Sequence, residues 1–168
     1  LNIFKLDKNH NVTEINVYKK NSSPNSISNN YIRSIIKNSD GNIWIGTYEG
    51  LNKMLRDTVS GQISFKSYTK KDGLSDNMIQ SLVEDNYKQL WIGTNNGLVS
   101  FNIKNEQFVQ YSLGDGIQSN EFSEHATYKK NDGEIIIGGI NGFNIFYPEK
   151  INSNVITPKT TITNFYLF

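Results

Sequence analysis

One motif recurs three times along this 168-residue chain, and no other feature constrains the fold as much. It reads Ile43-Trp44-Ile45-Gly46-Thr47 with Gly50-Leu51 just after, then Leu90-Trp91-Ile92-Gly93-Thr94 with Gly97-Leu98. The third copy is Ile135-Ile136-Ile137-Gly138-Gly139 with Gly142-Phe143. Trp44 and Trp91 are 47 residues apart, and Trp91 and Ile136 are 45 apart. Each period holds short apolar, β-branched runs split by Asn, Asp and Gly, with no room for a helix.

The second unit shows the pattern most fully. Met78–Glu84, Gln89–Thr94, Leu98–Asn102 and Gln107–Tyr111 read as four strands, joined by the polar turn Asp85-Asn86-Tyr87-Lys88 and the tight turn Asn95-Asn96-Gly97. Four strands per period of this length is the signature of a β-propeller blade, so the chain is expected to be all-β and built of four-stranded antiparallel sheets. The last strand of each unit closes on an aromatic, Tyr18, Tyr68 or Tyr111, and links such as Asp72–Asn77 and Asp115–Asn120 would cross to the inner strand of the next blade. Trp44 and Trp91 then fall between neighbouring sheets, and Gly46, Gly93 and Gly138 mark places where backbones approach closely near the crowded centre.

This frame divides the chain into the end of a partial blade (1–18), blades at 19–68 and 69–111, a last blade at 112–157, and a tail at 158–168. Closed propellers have about four to eight blades. Three blades and a part leave sheet faces and edges open, which implies either the remaining blades of a longer protein or a homo-oligomer. The first residue is Leu1 and the last four are Phe165-Tyr166-Leu167-Phe168, so both ends read as cut from something longer.

Composition narrows the function. Seventeen basic and sixteen acidic residues give a net charge of +1, with no basic stripe to mark a nucleic-acid or membrane-surface footprint. Cysteine is absent, which excludes disulfides and thiolate zinc sites. Mean hydropathy is −0.51, yet aromatics make up 12% of the chain, too many for a disordered one. No apolar run approaches the length of a membrane helix and no signal peptide is visible.

The segment Gly73-Leu74-Ser75-Asp76-Asn77, followed by an apolar strand, a polar turn and Leu90-Trp91-Ile92-Gly93-Thr94-x-x-Gly97-Leu98, resembles the propeller repeat of two-component regulators. The first unit opens instead on Ser26-Ile27-Ser28-Asn29-Asn30, and the turn at Asp85 lacks the usual Gly. In the third unit, Asp115–Phe122 and Gly138–Pro148, with Ile136 in the Trp position, are similar to the final blade of such sensors. Pro158–Phe168 is similar to the start of the β-sandwich that follows it. The resemblance implies a periplasmic, non-enzymatic sensor segment for oligosaccharides, joined elsewhere in its polypeptide to a membrane helix and a histidine kinase. No cofactor is implied.

Several residues are candidates for contact with a ligand. Tyr48 stands in a turn where the other units have Asn95 and Ile140, and Tyr31 and Arg33 begin an innermost strand. An Arg there suits a sulfate or carboxylate on a glycan, although a salt bridge explains it as well. Gln118, Asn120 and Glu121 lie on the last link, where amides could meet sugar hydroxyls or cap the turn. Trp44 and Trp91 are assigned to packing. His10 and His125 lie in different blades without metal-ligand spacing, and no pair of carboxylates is spaced as a glycosidase needs. A polysaccharide-active enzyme and a protein-contact scaffold remain the alternatives.

Overall fold

The structure, a computed structural model, describes residues 1–151. The expected tail at 158–168 and the end of the last blade lie outside the described residues. Among the described residues, thirteen strands and two short 3-10 turns, Leu113–Asp115 and Pro148–Lys150, account for the regular structure, and no described helix is long and apolar enough to cross a membrane. A leading hairpin joins β1 (Asn2–Leu6) to β2 (Val12–Val17). The first blade is β3 (Ile32–Lys37), β4 (Ile43–Thr47), β5 (Gly50–Arg56) and β6 (Ile63–Tyr68); the second is β7 (Ile79–Glu84), β8 (Gln89–Thr94), β9 (Gly97–Asn102) and β10 (Gln107–Tyr111). The third contributes β11 (Phe122–Lys129), β12 (Ile135–Gly139) and β13 (Gly142–Phe146). Every sheet is a simple antiparallel meander. The innermost strands β3, β7 and β11 meet around an axial groove of about 470 Å³, lined among others by Ser34, Lys37, Glu84, His125, Thr127 and Lys129.

Glycine supplies the positive φ of the tight turns. The two loop residues of each β4–β5 type hairpin (Tyr48-Glu49, Asn95-Asn96, Ile140-Asn141) all have negative φ, and the positive φ falls on the Gly that follows, +125° at Gly50 and +106° at Gly97. Space, as well as φ, demands glycine there: a Cβ on Gly97 would lie 2.6 Å from the carbonyl oxygen of Tyr111, at the end of the adjacent outer strand β10.

The apolar core lies between blades. It forms three separate layers, each shared by two neighbouring sheets. Ile27, Ile45 and Phe65 pack with Leu1 and Tyr18 between the leading hairpin and the first blade. Trp44, Leu51 and Tyr68 face Ile79, Leu90 and Phe101 of the second blade, and Trp91 and Leu98 face Phe122, Ile135 and Ile137 of the third. Trp44 is 1% exposed and Trp91 2%, which puts the hydrophobic contribution of each at about 5 kcal/mol at most. Gly46 and Gly93 sit at these seams, but what crowds them is chiefly side chains. A Cβ on Gly46 would lie 2.5 Å from Ile79 Cγ2, and one on Gly93 would lie 2.6 Å from Ser81 Oγ and 2.9 Å from Phe122 Cβ. Gly138 is similarly placed, 3.0 Å from the Ala126 Cβ in the same sheet.

Candidate functional site

At one end of the axis the inner strands are irregular in register, and the irregularities converge. β3 pairs Ile32 with Thr47 and Ser34 with Gly46, so Arg33 is an extra, unpaired residue; β7 repeats this with Gln80 between Ile79 and Ser81. In β11 the pairing jumps from Phe122–Gly139 to Thr127–Ile137, leaving Ser123–Ala126 opposite Gly138 alone. Bulges of this kind re-aim side chains out of the alternating pattern of a strand. Here they aim Arg33, Gln80 and Glu124 from three different blades at one another.

Arg33 is the hub. Its Nη1 donates to Tyr48 Oη at 3.0 Å and its Nη2 to Gln80 Oε1 at 2.5 Å. Its Nε lies against the Glu124 carboxylate as an ion pair, without the N–H alignment of a hydrogen bond. The guanidinium also stands over the Tyr48 ring, 4.8 Å from its centroid, and Tyr31 meets that ring edge-on at 5.4 Å. Gln80 passes the network on, donating from Nε2 to Asn95 Oδ1 at 2.8 Å. Tyr31 is 69% exposed, whereas the Arg33 side chain is 18% exposed and that of Glu124 43%. The cluster thus offers an exposed aromatic ring and a set of amide, guanidinium and carboxylate groups around a largely buried cation.

Three of the residues singled out from the sequence, Tyr31, Arg33 and Tyr48, therefore come together. Gln80, Asn95 and Glu124 complete the cluster and were missed. A signal for Gln80 exists, since Ile79-Gln80-Ser81 repeats Ile32-Arg33-Ser34 at the 47-residue period. For Glu124 the signal is a length: Phe122 to Ile136 is 14 residues where Ile79 to Trp91 is 12, so the third inner strand carries two more residues.

The link residues of the third blade are occupied locally. Gln118 Oε1 accepts the Asn141 N–H at 2.9 Å, its Nε2 donates to the Glu121 carbonyl at 3.4 Å, and its own N–H donates to Asn144 Oδ1. Glu121 uses its carbonyl again for the Ile140 N–H, and the Asn120 carbonyl accepts the Gly97 N–H at 2.6 Å. Asn120 Oδ1 is buried with no partner among the described residues. In the first two blades the same join is a shared hydroxyl hydrogen bond, Ser28–Thr47 at 2.8 Å and Ser75–Thr94 at 2.9 Å. The third blade has Gln118 in place of the Ser and Gly139 in place of the Thr, and a Cβ on Gly139 would run into the Gln118 amide.

Carboxylates elsewhere hold turns. Asp72 accepts the Thr69 N–H, Asp76 that of Met78, Asp85 those of Tyr87 and Gln89, and Glu84 that of Ser39. His10 and His125 both adopt positive φ, 63° and 55°, and among the described residues no group of three His, Asp or Glu is placed to hold a metal ion.

Inner-strand bulges, inter-blade aromatic layers and an axial groove define the chain as an open β-propeller segment. Residues 26–49 and 73–96 match the model of the two component regulator propeller family, so the chain carries repeats of that family. Over 68 residues, 40% of its length, it is 30% identical to Histidine kinase P4 of Formosa agariphila, of which it covers 5%. Its fold is similar to the extracellular domain of a protein described as a hybrid two component system from B. thetaiotaomicron (TM-score 0.69, 24% identity, 88% of this chain and 19% of that one). It is also similar to the extracellular domain of one described as a one component system from the same organism (TM-score 0.55, 22% identity, 88% and 22%). The chain thus spans a small part of each relative.

Proposed function

We propose that this segment belongs to the extracytoplasmic, periplasmic sensor region of a hybrid two-component regulator, that it catalyses no reaction, and that it contributes to recognition of an oligosaccharide. The observation that carries the reading is the axial cluster around Arg33. Bulges in three separate blades supply its members, so whatever contacts it touches the relative placement of all three blades, which is what a device that converts binding into a change of shape requires. The two family repeats and the extracellular domains of similar fold support the sensor role. Glycan sensing rests on the chemistry of the cluster and on the resemblance of the repeat. An exposed Tyr31 ring beside amide and guanidinium groups matches the combination of apolar faces and hydroxyls that a sugar presents.

The test is NMR titration of the protein with a panel of neutral and acidic oligosaccharides from complex glycans, run alongside Arg33→Ala and Tyr48→Ala. Shifts confined to residues around Arg33, lost in both variants, are expected. Release of a shortened product would favour an enzyme, and a panel without effect would remove the glycan reading.

A second reading, a scaffold for contacts between copies of the chain, is favoured by apolar side chains on the outward faces. Phe143, Ile145 and Tyr128 of the third blade are 63%, 49% and 62% exposed, and Phe4, Ile15 and Val17 of the leading hairpin are 54%, 56% and 57% exposed. Light scattering over a range of concentrations separates the two, since only the scaffold requires stable self-association.

A further inference from the structure

The sequence alone makes Arg33 look like an anchor for an acidic sugar, but its surroundings argue otherwise. We propose that Glu124 sets the charge preference of the axial site, so that the site takes uncharged polyhydroxyl groups and refuses carboxylate and sulfate groups. The proposal rests on reading this end of the axis as the ligand face.

Two independent features support it. The first is the state of the guanidinium. Of its five N–H donors, one on each terminal nitrogen is given to Tyr48 and Gln80, and the Nε side is covered by the Glu124 carboxylate as an ion pair, so the fork that would grip an anion in bidentate fashion is already faced by other groups. An incoming anion would have to displace Glu124, or lie beside its carboxylate in a partly desolvated place where like charges repel strongly. Hydroxyl groups meet no such barrier. Each donates and accepts, and the half-exposed Glu124 carboxylate and the Asn95 amide offer acceptors and a donor in the network that Arg33 and Gln80 hold together, with the Tyr31 ring against Tyr48 at its edge.

The second is the way the chain delivers Glu124. The bulge in β11 is longer than its counterparts in β3 and β7, and it holds His125 at a φ of 55°, a conformation that L side chains rarely adopt. A regular strand at this position would leave the Arg33 Nε facing the axis without a counter-charge. The strained detour in the third blade supplies that counter-charge.

A matched pair of probes tests this: tri-galacturonate, with three carboxylates, and its fully methyl-esterified form, which has the same skeleton without charge. Binding of both to the protein is measured by calorimetry at constant ionic strength, in the native chain, in Glu124→Gln and Glu124→Ala, and in Arg33→Gln combined with Glu124→Gln. Native protein should prefer the ester at least tenfold. Both single Glu124 variants should lose or reverse that preference, and the Arg33 double variant should lose the acquired binding of the acid. Native protein that binds the acid as well as the ester overturns the proposal, as do folded Glu124 variants with an unchanged preference. If neither probe binds the native chain, inorganic sulfate followed through the Arg33 Nε resonance decides. A response acquired only on removal of Glu124 upholds the charge preference while the glycan reading fails, and no response in any variant overturns the proposal.

Discussion

Asn38→Asp should stabilise this protein, and the second blade shows why. Asp85, six residues before Trp91, is 3% exposed, yet its carboxylate is fully used: Oδ1 accepts the Tyr87 and Gln89 N–H groups at 2.8 and 2.9 Å, and Oδ2 accepts the Trp91 indole Nε1–H at 2.9 Å. Asn38 stands in the same place before Trp44, is equally buried, and accepts the Asn42 N–H at 2.8 Å. Its amide then presents a donor where Asp85 has an acceptor. Asn38 Nδ2 and Trp44 Nε1 are both buried with no hydrogen-bond partner among the described residues. A buried donor left unmade costs about 1 to 3 kcal/mol. Converting the amide to a carboxylate removes one such donor and satisfies the other, against the cost of burying a charge with one fewer backbone donor than Asp85 enjoys. A net gain of about 1 to 2 kcal/mol is expected, or about 2 to 8 °C in Tm for a chain of this size. Asp85→Asn should lose about 2 to 3 kcal/mol by creating the same mismatch around Trp91. Urea and thermal denaturation followed by tryptophan fluorescence measure both. If Asn38→Asp is no more stable than the native chain while Asp85→Asn costs less than about 0.5 kcal/mol, the indole–carboxylate hydrogen bond does not carry the weight assigned to it.

The join between link and hairpin makes a second case. Gly139→Thr alone should destabilise by about 1 to 3 kcal/mol, because the new side chain meets both the Gln118 amide and the Glu121 carbonyl oxygen, while adding Gln118→Ser removes the first obstacle and restores a Ser–Thr pair like those of the other blades, so a double-mutant cycle should recover about 1 kcal/mol and leave the part owed to the Glu121 carbonyl. Alkaline pH probes the outer rim of the seam between the first and second blades. Burial first, and then the hydrogen bond to Glu106, push the Tyr68 phenol up to about 12 from its ordinary value of 10.0. An acid whose folded value is raised gives stability that is complete below pH 10.0 and is lost as pH rises through about 12. Urea midpoints should therefore fall between those limits, and Tyr68→Phe should flatten that fall; an equally steep decline in the variant would assign it to other groups.

The strands were legible from the repeat. Gln89–Thr94 and Gln107–Tyr111 have the bounds read from the sequence, and Trp44 and Trp91 lie between sheets as their place in the period demanded. Tandem repeats make this possible, because each unit must solve the same packing problem and so carries the same apolar positions. The site was legible only in part. Tyr48 stood out as a departure from the repeat, and Tyr31 and Arg33 by their place at the start of an innermost strand. Gln80 and Glu124 did not, because a bulge changes which way a side chain points without changing the composition of its strand. The Gln118 and Gly139 exchange was visible as two separate substitutions, but only the fold reveals that they fill one space.

The placement of the apolar layers between sheets bears on how such a chain can evolve. A duplication that copies one 47-residue unit never copies a whole layer; it copies the halves of two. The new blade is accommodated only because Leu74, Ile79, Leu90 and Ile92 on one side of a seam are matched by Ile117, Phe122, Ile135 and Ile137 at the next, so that any back meets any front. Selection on a seam therefore acts on two copies at once. The outer strands and loops are free to drift apart, while the facing surfaces of successive blades are held to a common pattern. The third unit shows where that constraint relaxes: Ile136 stands in the place of tryptophan, and Tyr128, Phe143 and Ile145 are exposed among the described residues.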